Sequence, residues 1–270
     1  MYKDDGGMRL TYPTLASVIK YPNCAHDALK NEKCKFNFYS SERKIFDGIF
    51  HTLGLKQNNL YIRHPLSYLT EAADDICYRI IDMEDARELK IITFNEILDV
   101  IKPIKENLNL NNDKLSQNIP ERRRAGYIRG VLINYLIEGV FSAFKDNYDD
   151  IVSGNCQPII ERCNKYIKDY MENASNIFKQ KIMKDPQKTA LEVGSYSLYR
   201  RLMNIFIPAA HDAKTGIKLG FREQRALDLM GINAPNEGDS IYTAYLRVID
   251  FISGMTDNYA TFISKQFSGT

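Results

Sequence analysis

The sequence predicts an all-α protein. Three observations carry that reading: apolar residues recur every three or four positions over long windows, strand-like alternation is scarce, and helix breakers divide the chain into units. Lys35 to Tyr39 and Lys90 to Phe94 are short strand candidates, and each serves equally as a helix end or as part of a small hairpin. Lys56 to Pro65 reads as a polar connection. Pro65 suits the first turn of a helix, and nothing after it breaks the pattern for several turns. Asn107 to Pro120, rich in asparagine, is the best linker candidate, and Arg122-Arg123-Arg124 opens the helix that follows. There Ile128, Val131, Leu132, Tyr135, Leu136, Val140 and Phe144 form one helical face. The pattern returns from Ile159 to Phe178 and again from Tyr242 to Ile263. Ser153-Gly154-Asn155, Asp185-Pro186 and Gly231 to Gly238 mark the later loops.

Composition narrows the class further. A chain of 270 residues, 44% hydrophobic and 26% charged, can bury a sizeable core. Its net charge of +2 argues against a strongly basic nucleic-acid coat. For Arg122-Arg123-Arg124 and the Arg200-Arg201 pair a solvated basic helix start is the preferred reading, and nucleic-acid binding stays open beside it. No apolar run approaches the roughly 20 residues that span a bilayer, and the N-terminus lacks a signal-peptide core. A cytoplasmic protein with no membrane partner is therefore expected. The five cysteines (Cys24, Cys34, Cys77, Cys156 and Cys163) form no C-x-x-C pair, which speaks against a zinc ribbon or a disulfide scaffold.

The chemistry concentrates in the stretch from Arg63 to Asp82, which reads RHPLSYLTEAADDICYRIID. On a helix, Asp74, Tyr78 and Asp82 fall at i, i+4 and i+8, stacked on one face. Ala73, Ile76, Cys77, Ile80 and Ile81 are apolar neighbours, so part of this helix packs inside. A carboxylate at the edge of a core must be hydrogen-bonded, paired or metal-bound. Spacing alone favours a plain alternative, in which Asp74 or Asp75 pairs with Arg79 and Tyr78 lies in the core.

This segment closely resembles the signature of the bacterial dGTP triphosphohydrolases, R-H-P-L-S-Y-x-x-E-A-A-D-D-I-x-Y-x-x-x-D-x-E-D. The stretch from Gly7 to Tyr12, continuing through Leu15-Ala16 to Lys20-Tyr21-Pro22, resembles the family's G-L-R-L-T-Y…K-Y-P. Lys35 to Glu42 resembles its K-F-G-F-F-x-S-E, and Tyr242 to Ala260 is similar to its closing motif. The resemblance implies an incomplete helical HD-domain-like core over residues 1–165 and a C-terminal phosphohydrolase-associated helical region over 166–270. It implies that Asp74 is the last ligand of an H…HD…D site for Mg²⁺ or Mn²⁺, and that Tyr78 and Asp82 touch the deoxyribose. It also implies that Lys20, Tyr21 and Lys35 line the phosphate side, a role suited to cationic donors. For Lys20 and Lys35 the plain alternative, a solvated surface lysine, stands beside it. The implied reaction is the metal-dependent hydrolysis of dGTP, or another dNTP, to the deoxynucleoside and triphosphate. Family members are often ring-shaped homo-oligomers, commonly hexamers, and some respond to single-stranded DNA.

The sequence departs from the family at its front. The H…HD elements precede the G-L-R-L-T-Y stretch, which begins here at residue 7, so the chain is expected to supply only part of the active site. His26-Asp27 lacks an upstream histidine and is expected in a loop. His211-Asp212 follows Asp74, the wrong order, and both dipeptides read as coincidence outside a helical apolar context. His64 reads as a helix-start residue. One aspartate binds a hard cation weakly, so two alternatives stand beside the enzyme: a non-catalytic nucleotide-binding or assembly protein, and a fragment without separate function. Loss of the front is expected to expose apolar surface.

Overall fold

A computed structural model describes residues 10–30, 35–57 and 60–268. Gly7 to Arg9 of the first motif and Cys34 lie outside the described residues. The elements in order are α1 (Tyr12–Ser17), α2 (Ala25–Lys30), α3 (Arg43–Thr52), β1 (Lys56–Gln57), β2 (Leu60–Tyr61), α4 (Pro65–Glu88) and α5 (Phe94–Val100). They continue with α6 (Glu121–Asp146), α7 (Tyr148–Val152), α8 (Lys165–Ile177), α9 (Pro186–Thr215), α10 (Phe221–Met230), α11 (Ile241–Ser253) and α12 (Asp257–Ser268). The fold is all-α, with one antiparallel pair of two-residue strands among the described residues.

That strand pair falls at neither strand candidate. It lies inside the stretch read as a polar connection, with Lys56 opposite Tyr61 and Gln57 opposite Leu60. Residues 35–39 make a single bridge, Phe38 to Cys24, before Ser40–Glu42 turns into a short 3₁₀ helix. Residues 90–94 join two helices: Lys90 takes a left-handed φ of 61° after α4, and Thr93 caps α5 in a capping box with Glu96. The asparagine-rich stretch is likewise no free linker. Two 3₁₀ turns, Lys102–Leu108 and Asn112–Leu115, pin it down, with Ile104 and Leu108 buried.

Helices α4 and α6 centre the first unit. His64 caps α4 and Pro65 takes its first position, where the missing N–H costs nothing. Its buried side carries Tyr68, Ala72, Ile76, Ile80, Met83 and Ala86. The facing stripe on α6 is Ala125, Ile128, Leu132, Leu136, Val140 and Ala143, at helical spacing throughout. Arg129 to Glu84 (2.5 Å) and Arg87 to Glu121 (3.4 Å) join the late turns of α4 to the early turns of α6. α8, capped by Asn164, adds Ile167, Tyr170, Met171 and Ala174 to the same core. The boundary expected at residue 165 thus falls where α8 begins. By compactness the units divide between Lys184 and Asp185.

The second unit is built on α9. Asp185 Oδ1 accepts the N–H groups of Gln187 and Lys188 (both 3.0 Å), and Gly216 ends the helix at φ 76°. Leu202, Ile205, Phe206, Ala209 and Ala210 pack with Ala244, Val248 and Ile252 of α11 and with Ala260 and Ile263 of α12. The Tyr242 to Ile263 pattern is two helices, parted near Gly254. Among the described residues no helix is long and apolar enough to cross a membrane.

Adjacent residues on α6 give a direct test of this packing. Leu136 is fully buried, whereas Ile137 is 54% exposed. Leu136→Ala is expected to destabilise by about 2–5 kcal/mol, and Ile137→Ala to stay within about 0.5 kcal/mol. Urea midpoints at unchanged m-value measure both.

Candidate functional site

Helix α4 has two working sides. Ile76 and Ile80 are buried, and Tyr78 stands two residues from each, about 200° around the helix axis. It therefore faces outward, 57% exposed. The reading of Tyr78 as a core residue is corrected by this geometry. Asp74 is exposed one turn earlier on the same side, and Asp82 is half-buried one turn later. Leu66, Cys77 and Ile81 share the exposure, so an apolar strip runs beside the polar residues. Neither Asp74 nor Asp75 forms an ion pair with Arg79 among the described residues, and Arg79 Nε is buried without a hydrogen-bond partner. Asp75 is half-buried. Burial raises the pKa of its carboxyl, against the opposing pull of Lys20 and Arg79.

The three residues assigned to the phosphate side come together. Lys35 Nζ donates to the Tyr21 hydroxyl at 3.0 Å, and its ammonium lies 5.0 Å from the ring centre. Lys20 Nζ lies 5.5 Å from the same centre. The Tyr21 backbone N–H donates to Asn37 Oδ1, which fixes the turn that carries the ring. The bond from Lys35 lowers the Tyr21 pKa, and burial only partly opposes it.

Lys20 is not a free surface lysine. Its Nζ pairs with Glu71 Oε1 of α4 at 2.9 Å, and that bond raises its pKa. The other carboxylate oxygen of Glu71 accepts from Arg63 Nη2 at 2.8 Å. Arg63 is held in turn by Ser67, through Nε to Oγ (3.1 Å) and Nη2 to the backbone carbonyl (3.2 Å), and it stacks 4.1 Å over the Tyr68 ring. The Glu71 side chain is 6% exposed. Burial pushes its pKa up, but the bonds from Lys20 and Arg63 outweigh that and hold it below the usual carboxylate range. Sequence reading passed over Arg63 and Glu71 as site residues, although both are fixed letters of the R-H-P…E motif. Tyr78 lies about two helical turns beyond Glu71, or roughly 10 Å along the axis.

Among the described residues, no histidines, cysteines, aspartates or glutamates form a group of three or more that could hold a metal ion. His26-Asp27 starts α2 rather than lying in a loop, and Asp27 pairs with Arg43 at 2.6 Å. His211-Asp212 sits within α9 beside buried Ala209 and Ala210, a helical apolar context that sequence reading had denied it. His211 Nδ1 is bonded to the Tyr245 hydroxyl at 2.7 Å. Asp74 is thus one carboxylate where a hard cation takes several ligands.

No protein-family model matches the chain. Curated proteins do. A deoxyguanosinetriphosphate triphosphohydrolase-like protein of Pseudomonas aeruginosa is 37% identical over 271 residues, which cover 98% of this chain and 61% of that protein. Proteins of the same description from Listeria monocytogenes (28% identical, 98% and 61% covered) and Synechocystis (26%, 98% and 60%) also align. The chain therefore spans about three fifths of the length of the curated relatives it matches.

The cap at the head of α4 gives a pH test. His64 Nδ1 accepts the Leu66 N–H at 3.2 Å, which needs the neutral ring, and burial lowers its pKa below the ordinary 6.5. The folded state binds fewer protons at this site, so its contribution is present above the ordinary pKa. It is lost as pH falls through the folded pKa. Thermal stability is expected to drop between pH 7 and 5 by about the value of one cap, ~1 kcal/mol. His64→Asn, which keeps an acceptor without titrating, should flatten that part of the profile.

Proposed function

We propose that the chain, which matches about three fifths of the length of deoxyguanosinetriphosphate triphosphohydrolase-like proteins, forms the nucleotide-facing wall of a dNTP triphosphohydrolase. The reaction is dGTP, or a related dNTP, plus water to the deoxynucleoside and triphosphate. One observation carries the proposal: α4 presents Asp74 and Tyr78 to solvent while anchoring, through Glu71, the cluster of Lys20, Tyr21 and Lys35.

The residues divide the nucleotide between them. Lys20 and Lys35 supply point charges for a polyphosphate, and the Tyr21 hydroxyl, bonded to Lys35, adds a hydrogen-bonding group. Tyr78 offers a flat apolar face with a polar tip to the deoxyribose, and Asp82 an acceptor for a sugar hydroxyl. Asp74 would supply one carboxylate to a divalent ion and does not hold one alone, so on this reading the contribution of the chain is binding and orientation. A second reading stands beside it, a nucleotide-binding or assembly protein derived from the enzyme.

Triphosphate release from dGTP with Mn²⁺ or Mg²⁺ separates the two readings, and dGTP affinity tests what they share. Tyr78→Ala is expected to weaken dGTP binding about tenfold, ~1.4 kcal/mol, while stability stays within about 0.5 kcal/mol. An unchanged affinity would show that Tyr78 does not meet the sugar. Asp74→Ala should abolish any triphosphate release and leave dGTP binding largely intact.

A further inference from the structure

We infer that Glu71 is a positioning residue for polyphosphate binding, holding the Lys20 ammonium beside Tyr21 and Lys35. The inference rests on the nucleotide-wall reading above. Glu71 sits in the early turns of α4 with its side chain 6% exposed, where an ionised carboxylate persists only if both oxygens are matched. They are, but by partners of different kinds. Arg63 is fixed by two bonds to Ser67 and by the Tyr68 ring, and its side chain is only 17% exposed. Lys20 stands 36% exposed at the edge, and an ammonium with one donor on Glu71 keeps two more for a ligand.

A lysine stem has many rotamers, and a ligand that must immobilise one binds less well than a ligand that finds it already placed. Glu71 places it. Its ion pair fixes Lys20 on the helix that bears Asp74 and Tyr78, and Lys35 holds the Tyr21 hydroxyl. A carboxylate so close to the site also repels an anion, so the two effects predict opposite outcomes. Positioning requires that loss of the Lys20–Glu71 bond weaken polyphosphate binding, and repulsion requires that it strengthen it.

The test is a double-mutant cycle read by equilibrium binding of inorganic triphosphate, dGTP and deoxyguanosine, with melting temperature followed for every variant. Glu71→Gln and Lys20→Met are each expected to weaken triphosphate and dGTP binding on the order of tenfold, with deoxyguanosine unchanged. The Lys20→Met/Glu71→Gln double variant should bind no worse than Lys20→Met alone. Glu71→Asp keeps the charge but shortens the reach, so it should weaken triphosphate as Glu71→Gln does. Tighter or unchanged triphosphate binding in Glu71→Gln and Glu71→Asp overturns the inference, as do losses that add in the double variant. Wild-type protein that binds dGTP no more tightly than deoxyguanosine overturns the phosphate side of the nucleotide wall, and this inference with it. Wild-type discrimination that the Glu71 variants retain removes the inference alone.

Discussion

The Glu71 carboxylate, closed off from water between Arg63 and Lys20, sets the terms for the N-terminal part of the molecule. Taking that charge out of solvent costs several kcal/mol unless both oxygens meet charged donors. Arg63 can serve only because Ser67 and Tyr68 hold it at the head of α4. Lys20 can serve only if the segment after α1 lies against the same turns. That segment also carries Tyr21, tied to Asn37, and Cys24, bridged to Phe38. One electrostatic requirement thus fixes where several otherwise exposed polar residues stand.

Helix α4 meets that requirement while performing two tasks that conflict on most helices. One side supplies Ile76, Ile80 and Met83 to the first core, where each fully buried large side chain contributes about 1.5–3 kcal/mol. The other side leaves Leu66, Tyr78 and Ile81 exposed beside Asp74. The buried side makes the helix rigid enough to present them.

Much of this was legible from residue order. Periodicity located α4, α6, α8 and the C-terminal helices, and the same 3.6-residue turn put Asp74, Tyr78 and Asp82 on a common face. The motif letters also pointed to Lys20, Tyr21 and Lys35, which do assemble. Local rules decide less where short segments compete on nearly equal terms. Lys56–Gln57 pairs with Leu60–Tyr61 although the stretch reads as polar loop, and Lys90 to Phe94 takes its helix-end alternative because Thr93 and Glu96 form a reciprocal cap. The asparagine-rich stretch reads as a linker by composition, yet Ile104 and Leu108 anchor it.

The sequence by itself determined the helical class, the resemblance of its motifs, and the face on which Asp74 and Tyr78 lie, because these depend on spacing along one chain segment. The tertiary structure alone decided that this face looks outward, since only the packing of Ile76 and Ile80 chooses between two sides of a partly apolar helix. It also decided that Lys20 is held rather than solvated. Its partner Glu71 lies far along the chain, and an ion pair across that separation leaves no periodicity to read. It exists because a buried carboxylate must find its second cation wherever the fold brings one.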